Sequence, residues 1–301
     1  MQYSTFAAID IGSYDVILEI FEISKKQGIR SVDKICHRME LGKDTYTLGK
    51  IRPEMEEELC RVLADFVRIM EGYRVDAYRA MASSAISEAA NSLYVLGKIR
   101  QLTGLSVTVL SNSEQRFLGY KALAAMEDNF NKIIEKGTAI LDLDGGSFQI
   151  SLFDKDALVT TQNIRMGSLR IRERLAGIQS ETEHYEEMVE ELIWNEVSSF
   201  KKMYLKDRKI ENIMLIGDVF TDSVYQNIEE KTTKIISREN FNTWYEKIIR
   251  QSPMELAVKL GIPLENASLM YPSAVIYKCL IDMMGAEHIW IPGVHMTRGI
   301  A

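Results

Sequence analysis

Two short stretches of this chain place aspartate, glycine and serine where a phosphate group could be gripped. Ala8-Ile-Asp-Ile-Gly-Ser13 and Leu141-Asp-Leu-Asp-Gly-Gly-Ser147 each run from an apolar segment through an aspartate into a glycine turn that carries serine. A glycine turn after a strand lets backbone N–H groups converge on an anion, because no Cβ blocks the approach and positive φ is allowed. Serine adds a hydroxyl donor. Phosphate contacts are therefore expected at Gly12, Ser13, Gly145, Gly146 and Ser147. Asp10 and Asp142 cannot bind phosphate themselves; an aspartate at a strand end suits a hydrated divalent cation or a positioned water. One such turn is ordinary hairpin chemistry, since Asp and Gly populate turns everywhere. Two of them, with aspartates 132 residues apart, point to a duplicated unit with a cleft between the copies.

The elements that must hold these turns are readable in outline. Phe6–Gly12 and Val16–Phe21 form a hairpin around the first turn, and Thr138–Leu143 and Gln149–Phe153 form one around the second. Pro53 opens a helix over residues 53–72, with Met55, Leu59, Val62, Leu63, Phe66 and Met70 at helical spacing. Further helices are expected over Ser87–Leu102, from Ser111 or Ser113 through Glu114 to about 127, and over Glu181–Leu205, 239–250, 253–260 and 272–285. Ser106–Leu110, Asn212–Ile216 and His288–Ile291 read as strands. Strands alternating with helices give α/β layers. The most polar break lies near residues 125–135, dividing the chain into domains 1–128 and 129–301.

Composition narrows the function classes. The 301 residues suit two domains, 46% are hydrophobic, and Gly and Pro are ordinary in number, which excludes disordered and fibrous classes. A formal charge of −7 argues against coating nucleic acid or an anionic membrane. No apolar run is long enough for a membrane span, and the N-terminus has no signal-peptide pattern. Cys36, Cys60 and Cys279 contain no C-x-x-C pair, and the four histidines no H-x-x-x-H pair, so a reduced, cytoplasmic protein is expected. Cys60 falls on the apolar face of its helix and reads as core packing.

Four stretches together resemble the exopolyphosphatase and guanosine pentaphosphate phosphatase family, within the superfamily of actin, sugar kinases and heat-shock ATPases. They are Ala8–Ser13, Met81-Ala-Ser-Ser-Ala-Ile-Ser-Glu-Ala-Ala-Asn91, Val109-Leu-Ser-Asn-Ser-Glu-Gln115 and Ile140-Leu-Asp-Leu-Asp-Gly-Gly-Ser147; Ile164-Arg-Met-Gly167 and Gly293–Gly299 resemble later landmarks. The resemblance covers essentially the whole chain and implies the short form, two ribonuclease-H-like lobes around an interdomain cleft. It implies release of terminal phosphate from polyphosphate or guanosine pentaphosphate, with Mg²⁺ or another divalent cation held by Asp10 and Asp142. Glu114 matches the glutamate that activates the attacking water, with Asp142 as its catalytic partner. By its residue type alone, Glu114 is a helix-N-terminal acid.

The chain departs from the family pattern in and around these stretches. Asp144 stands for the first glycine of a triplet, Phe148 for a threonine donor, Gln149 for a second carboxylate and Ser87 for an arginine that would bind phosphate in bidentate fashion. Asn112 and Gln115 replace a glycine and a glutamate, Gly217-Asp218-Val219 replaces Gly-Gly-Thr, and Thr297 and Arg298 replace an arginine and a glutamate. These changes keep two other readings open: a non-catalytic sensor of nucleotide or polyphosphate, and an ATPase or kinase of the same superfamily. The clusters Arg165, Arg170, Arg172, Arg174 and Lys201, Lys202, Lys206, Arg208, Lys209 offer either a polyanion track or solvated helix faces. Monomer and homodimer are equally compatible with the sequence.

Overall fold

The computed structural model describes residues 3–26, 28–126, 130–176, 184–206, 208–217, 219–227 and 235–301. The chain divides into two compact units, Met1–Ala122 with His295–Ala301, and Leu123–Val294. A single cut at 128/129 would leave the last seven residues in the second unit, and the residues at that cut, 127–129, lie outside those described.

In the first unit, β1 (Ser4–Ile11), β2 (Asp15–Ser24) and β3 (Gly28–Arg38) form an antiparallel meander. After α1 (Leu41–Leu48) and α2 (Pro53–Gly72), β4 (Ala77–Ala82) joins β1 in parallel. α3 (Ser84–Ser87) and α4 (Ser92–Thr103) lead to the parallel β5 (Val107–Val109) and then α5 (Asn112–Met126). The sheet order is β3-β2-β1-β4-β5. Alternation in β1 splits the core: Ala7, Ile9 and Ile11 pack with α2 residues such as Leu59, Leu63 and Phe66, while Ala8 packs with Met81 of β4 and Leu118 of α5.

The second unit repeats this plan. After α6 (Phe130–Ile134) come β6 (Thr138–Leu143), β7 (Phe148–Asp154) and β8 (Ala157–Ile164), again an antiparallel meander. Then follow α7 (Ser168–Leu175), α8 (Tyr185–Phe200) with a π-helical turn at Lys201–Leu205, and β9 (Asn212–Ile216). α9 (Val219–Asn227), β10 (Ile235–Ser237), α10 (Arg238–Ile249), α11 (Pro253–Leu260), α12 (Leu264–Met284) and β11 (His288–Trp290) complete the unit. Its sheet runs β10-β11-β9-β6-β7-β8, with β9 parallel to β6 and to β11. Read from β8 inward, the order matches the first unit, with one added edge strand. Two ribonuclease-H-like α/β units are therefore present. Even the irregularities recur: the β2/β3 register slips at Ile20/Phe21 and the β7/β8 register at Leu152/Phe153. The final α13 (Met296–Ile300) packs in the first unit, where Thr297 donates its hydroxyl to the buried Glu19 carboxylate.

Several elements differ from the sequence expectation, each for a physical reason. β3 and β8 are edge strands rich in polar residues, so neither shows a buried-strand pattern. The single helix expected over Ser87–Leu102 is broken at Glu88–Asn91. There the Asn91 amide binds both the N–H and the C=O of Ile51, and Ala90 N–H donates to Gly49 O. α12 begins at Leu264, with Pro272 inside it. Pro272 resembles a helix start, yet it is buried within a helix whose tertiary packing outweighs the lost hydrogen bond.

Candidate functional site

The two turns singled out by the sequence occupy equivalent positions. Asp10 lies opposite Ile17 on β2 and Met81 on β4; Asp142 lies opposite Gln149 on β7 and Ile216 on β9. Each turn is closed by the same bond, Gly12 N–H to Asp15 O and Asp144 N–H to Ser147 O, both 2.9 Å. The duplication thus holds residue by residue, while the side chains make the two loops chemically different.

Loop 1 (Gly12–Asp15) is stapled by side chains. Ser13 is fully buried, and its hydroxyl, expected to meet a phosphate, lies 2.7 Å from Tyr46 Oη, which lies 2.8 Å from Ser84 Oγ. Ser13 O and Tyr14 O accept from the N–H groups of Gly42 and Met39 at 2.7 and 3.1 Å. Asp15 is held by Arg38 Nη1 at 2.8 Å. Burial pushes the Asp15 carboxyl above its ordinary range, with Arg38 pulling it back. Tyr46 and Arg38 had no sequence signal, since neither sits in a motif.

Loop 2 (Asp144–Ser147) is held by its backbone. Asp144 O accepts from Ser168 N–H at 3.2 Å, Gly145 O from Arg170 N–H at 2.9 Å, and Gly146 O from Arg170 Nε at 2.9 Å. The first turn of α7 therefore fixes three successive carbonyls, and its positive end favours that arrangement. In a trans peptide the N–H points opposite to the C=O. The amides of Gly145, Gly146 and Ser147 are thus turned away from α7, a geometry suited to an anion. This approach requires Gly167: a Cβ there would lie 2.3 Å from Asp144 O and 2.4 Å from the Gly145 carbonyl carbon. Arg170 thereby leaves the expected cluster to clamp the loop, while Arg172 pairs with Glu173 and donates to Ser268 Oγ. Lys201 lies over Trp194 and, with Lys202, Lys206, Arg208 and Lys209, is exposed.

Around Asp142 the environment is oxygen-rich. Gln149 is 3% exposed and its Oε1 has no partner; Asn163, opposite Gln149 on β8, has an equally buried and unpartnered Oδ1. Directly opposed residues share a sheet face, so Asp142, Gln149 and Asn163 form one polar row. The equivalent row in the first unit is Asp10, Ile17 and Cys36. Gly217, at φ +100°, presses against the carboxylate, as its Cβ would fall 2.5 Å from Asp142 Oδ1. Tyr277 of α12 donates to Ile216 O at 3.2 Å and fixes the strand end beside Asp142. Asp218 lies outside the described residues.

Glu114 opens α5 in a reciprocal cap. Its Oε2 accepts from Ser111 N–H at 2.8 Å and Ser111 Oγ at 2.7 Å, while Glu114 N–H donates to Ser111 Oγ at 3.3 Å. Those bonds hold the exposed carboxyl below its usual range. Oε1 takes part in neither. Glu114 borders a groove of about 650 Å³ with Tyr78, Arg79, Thr108, Phe117 and Lys121. Leu118 of α5 packs with Ala8 and Met81, so α5 covers the face of the sheet that also bears Asp10.

A profile of the Ppx/GppA phosphatase family matches residues 19–300. The chain belongs to the Ppx/GppA phosphatase family. Among curated relatives, the bifunctional 3-dehydroquinate synthase/phosphatase of Fusobacterium nucleatum is 21% identical over 94% of this chain and 44% of that protein. Exopolyphosphatase 1 of Mycobacterium leprae is 26% identical over 48% of this chain and 41% of that protein. The chain spans less than half the length of these relatives. The crystal structure of an exopolyphosphatase from Cytophaga hutchinsonii superposes with a TM-score of 0.87 at 17% identity, covering 98% of this chain and 96% of the other. An Aquifex aeolicus Ppx/GppA family member gives 0.76 at 19% identity, with 99% and 96% covered. The Ppx/GppA fold is thus shared across nearly the full chain. No helix among the described residues is long and apolar enough to cross a membrane.

Proposed function

We propose that this Ppx/GppA family member is a cytoplasmic hydrolase that releases the terminal phosphate of polyphosphate or a guanosine phosphate. The observation that carries this reading is loop 2, whose Asp144, Gly145 and Gly146 carbonyls are fixed toward α7 so that the amides of Gly145, Gly146 and Ser147 face the opposite way. Gly146 and Ser147 would receive phosphate oxygens through those amides, the Gly145 N–H being taken by Asp144 Oδ1, and Ser13 through its N–H in loop 1, where the Gly12 N–H closes the turn.

A divalent cation such as Mg²⁺ fits the residues present. Among the described residues no three His, Cys, Asp or Glu side chains form a ready cage. Mg²⁺, however, is commonly held by one or two carboxylates, with water and substrate phosphates completing its shell. Asp142 offers the carboxylate, the orphaned Gln149 Oε1 a neutral oxygen beside it, and Asp10 the matching position in the first unit. When bound, the cation neutralises charge developing on the phosphoryl oxygens.

The chain's own residues then do the following. The loop amides orient the terminal phosphoryl group. Glu114 aligns a water through Oε1 and accepts its proton as the oxygen bonds to phosphorus and the anhydride P–O bond breaks, the shortened chain leaving with the bridging oxygen. Its lowered pKa keeps Glu114 ionised at neutral pH, which suits orientation of water in a loose transition state. Glu114→Gln is a clean test, because glutamine preserves the N-terminal cap. Phosphate release from tripolyphosphate and guanosine pentaphosphate should fall about 100-fold or more; full retention would overturn the mechanism. A second reading, a sensor that binds without turnover, draws on Asp144 and Gln149. Phosphate release by the wild type with Mg²⁺ or Mn²⁺ decides against it.

A further inference from the structure

We propose that Asp144 is a specificity-determining residue: its carboxylate occupies the Gly145 amide of loop 2, so a phosphoanhydride enters as a divalent-cation complex and the free polyanion is turned away. This rests on the phosphate-binding reading of loop 2. Asp144 Oδ1 accepts from Gly145 N–H at 2.6 Å, so one of the three amides turned from α7 already holds an anionic oxygen. The side chain is half-buried, and at that depth a carboxylate beside an incoming phosphate is screened less than at an open surface.

The turn does not need this carboxylate. Gly12, at the equivalent position, closes loop 1 with the same backbone bond and no side chain at all. Nor can loop 2 readily withdraw from the aspartate. Its three carbonyls are fixed by Ser168 and Arg170, and Gly167 sits against its backbone with no space for a Cβ. The neighbouring Gln149 is neutral, so Asp142 and Asp144 are the acidic side chains of the strand end and loop. A cation bridging carboxylate and phosphate changes repulsion into attraction, whereas a bare polyanion meets both charges.

Two variants separate charge from hydrogen bonding. Asp144→Asn keeps an oxygen for the Gly145 amide and removes the charge; Asp144→Gly removes both and matches loop 1. Titration calorimetry with sodium tripolyphosphate, in EDTA and in excess Mg²⁺, reads the outcome, with circular dichroism to verify folding. In EDTA both variants should bind about tenfold or more tightly than wild type, and the gap should narrow severalfold in Mg²⁺. Equal affinities in EDTA, the same gain in both buffers, or loss of binding in the variants would each overturn the proposal. If no form of the protein binds in either buffer, the phosphate-loop reading itself fails, and the inference with it. Wild type binding only in Mg²⁺ while the variants also bind in EDTA sustains both.

Discussion

Loop 1 and loop 2 are the same turn in two states of use. Their flanking strands share register, closing bond and even the position of the β-bulge. Loop 1 faces its side chains inward, through Ser13 to Tyr46 and Ser84 and through Asp15 to Arg38. Loop 2 has glycines at its tip and is held through carbonyl oxygens, which leaves its amides directed elsewhere. The difference teaches that a duplicated backbone does not duplicate a function. Both turns have carbonyls held by neighbouring N–H groups, and what differs is the side chains: Ser13 and Asp15 add anchors to loop 1, while loop 2 carries glycines at its tip.

That contrast predicts an unequal response to glycine substitution. Gly167→Ala should destabilise the protein by about 3 kcal/mol, because the new Cβ meets backbone atoms of loop 2 that cannot rotate aside. Gly12→Ala meets Asp15 at 3.0 Å and should be milder. Urea unfolding of both variants checks this, and equal losses would break the distinction between the loops.

Next in size is Tyr46→Phe, which removes the phenol linking Ser13 to Ser84. It should lower stability by about 1–2 kcal/mol, since two polar groups lose their shared partner. Because Ser13 would meet phosphate through its N–H and not its hydroxyl, tripolyphosphate binding should be unchanged. A binding loss exceeding the stability loss would bring the Ser13 hydroxyl into the binding machinery.

The smallest effect concerns Asp15. Its folded pKa is raised, so the folded state binds the proton more tightly than the unfolded chain does. Stability from this group is fully present below the unfolded pKa and declines as pH rises through the folded value. Arg38 opposes the shift, so Arg38→Met should cost about 1 kcal/mol at pH 7, modest because Arg38 is partly exposed, and less near pH 4. Unfolding curves at the two pH values test it; an equal cost at both would remove Asp15 from the account.

Sequence reading succeeded where a short motif recurs. Asp10 with Gly12 and Asp142 with Gly145 mark the two hairpins by residue type, and the spacing of the aspartates carried the duplication. It failed where the outcome depends on distant packing. Nothing in Ser13 shows that its hydroxyl turns toward Tyr46 rather than toward solvent. Asn163 joins Asp142 only through the register of β6, β7 and β8, and the polar β8 hides its own strand character. Gly167 was visible as a landmark, but its steric reason lies in loop 2, more than twenty residues earlier. The destination of α13 has no local signal either, because five residues do not encode which unit they complete.

That destination has a consequence for how the molecule is made. Thr297 bonds to Glu19, Lys121 donates to Gly299 O at 2.9 Å, and a Cβ on Gly299 would lie 2.1 Å from Leu118 O. On a ribosome, the first unit therefore emerges long before the segment that finishes it. Until the second unit has been synthesised, Ala8, Met81 and Leu118 lack Ile300 as a neighbour, and the nascent sheet keeps that apolar face partly uncovered. Closure over so long a loop is entropically affordable but slow. The first unit can therefore be completed only after the second has been synthesised.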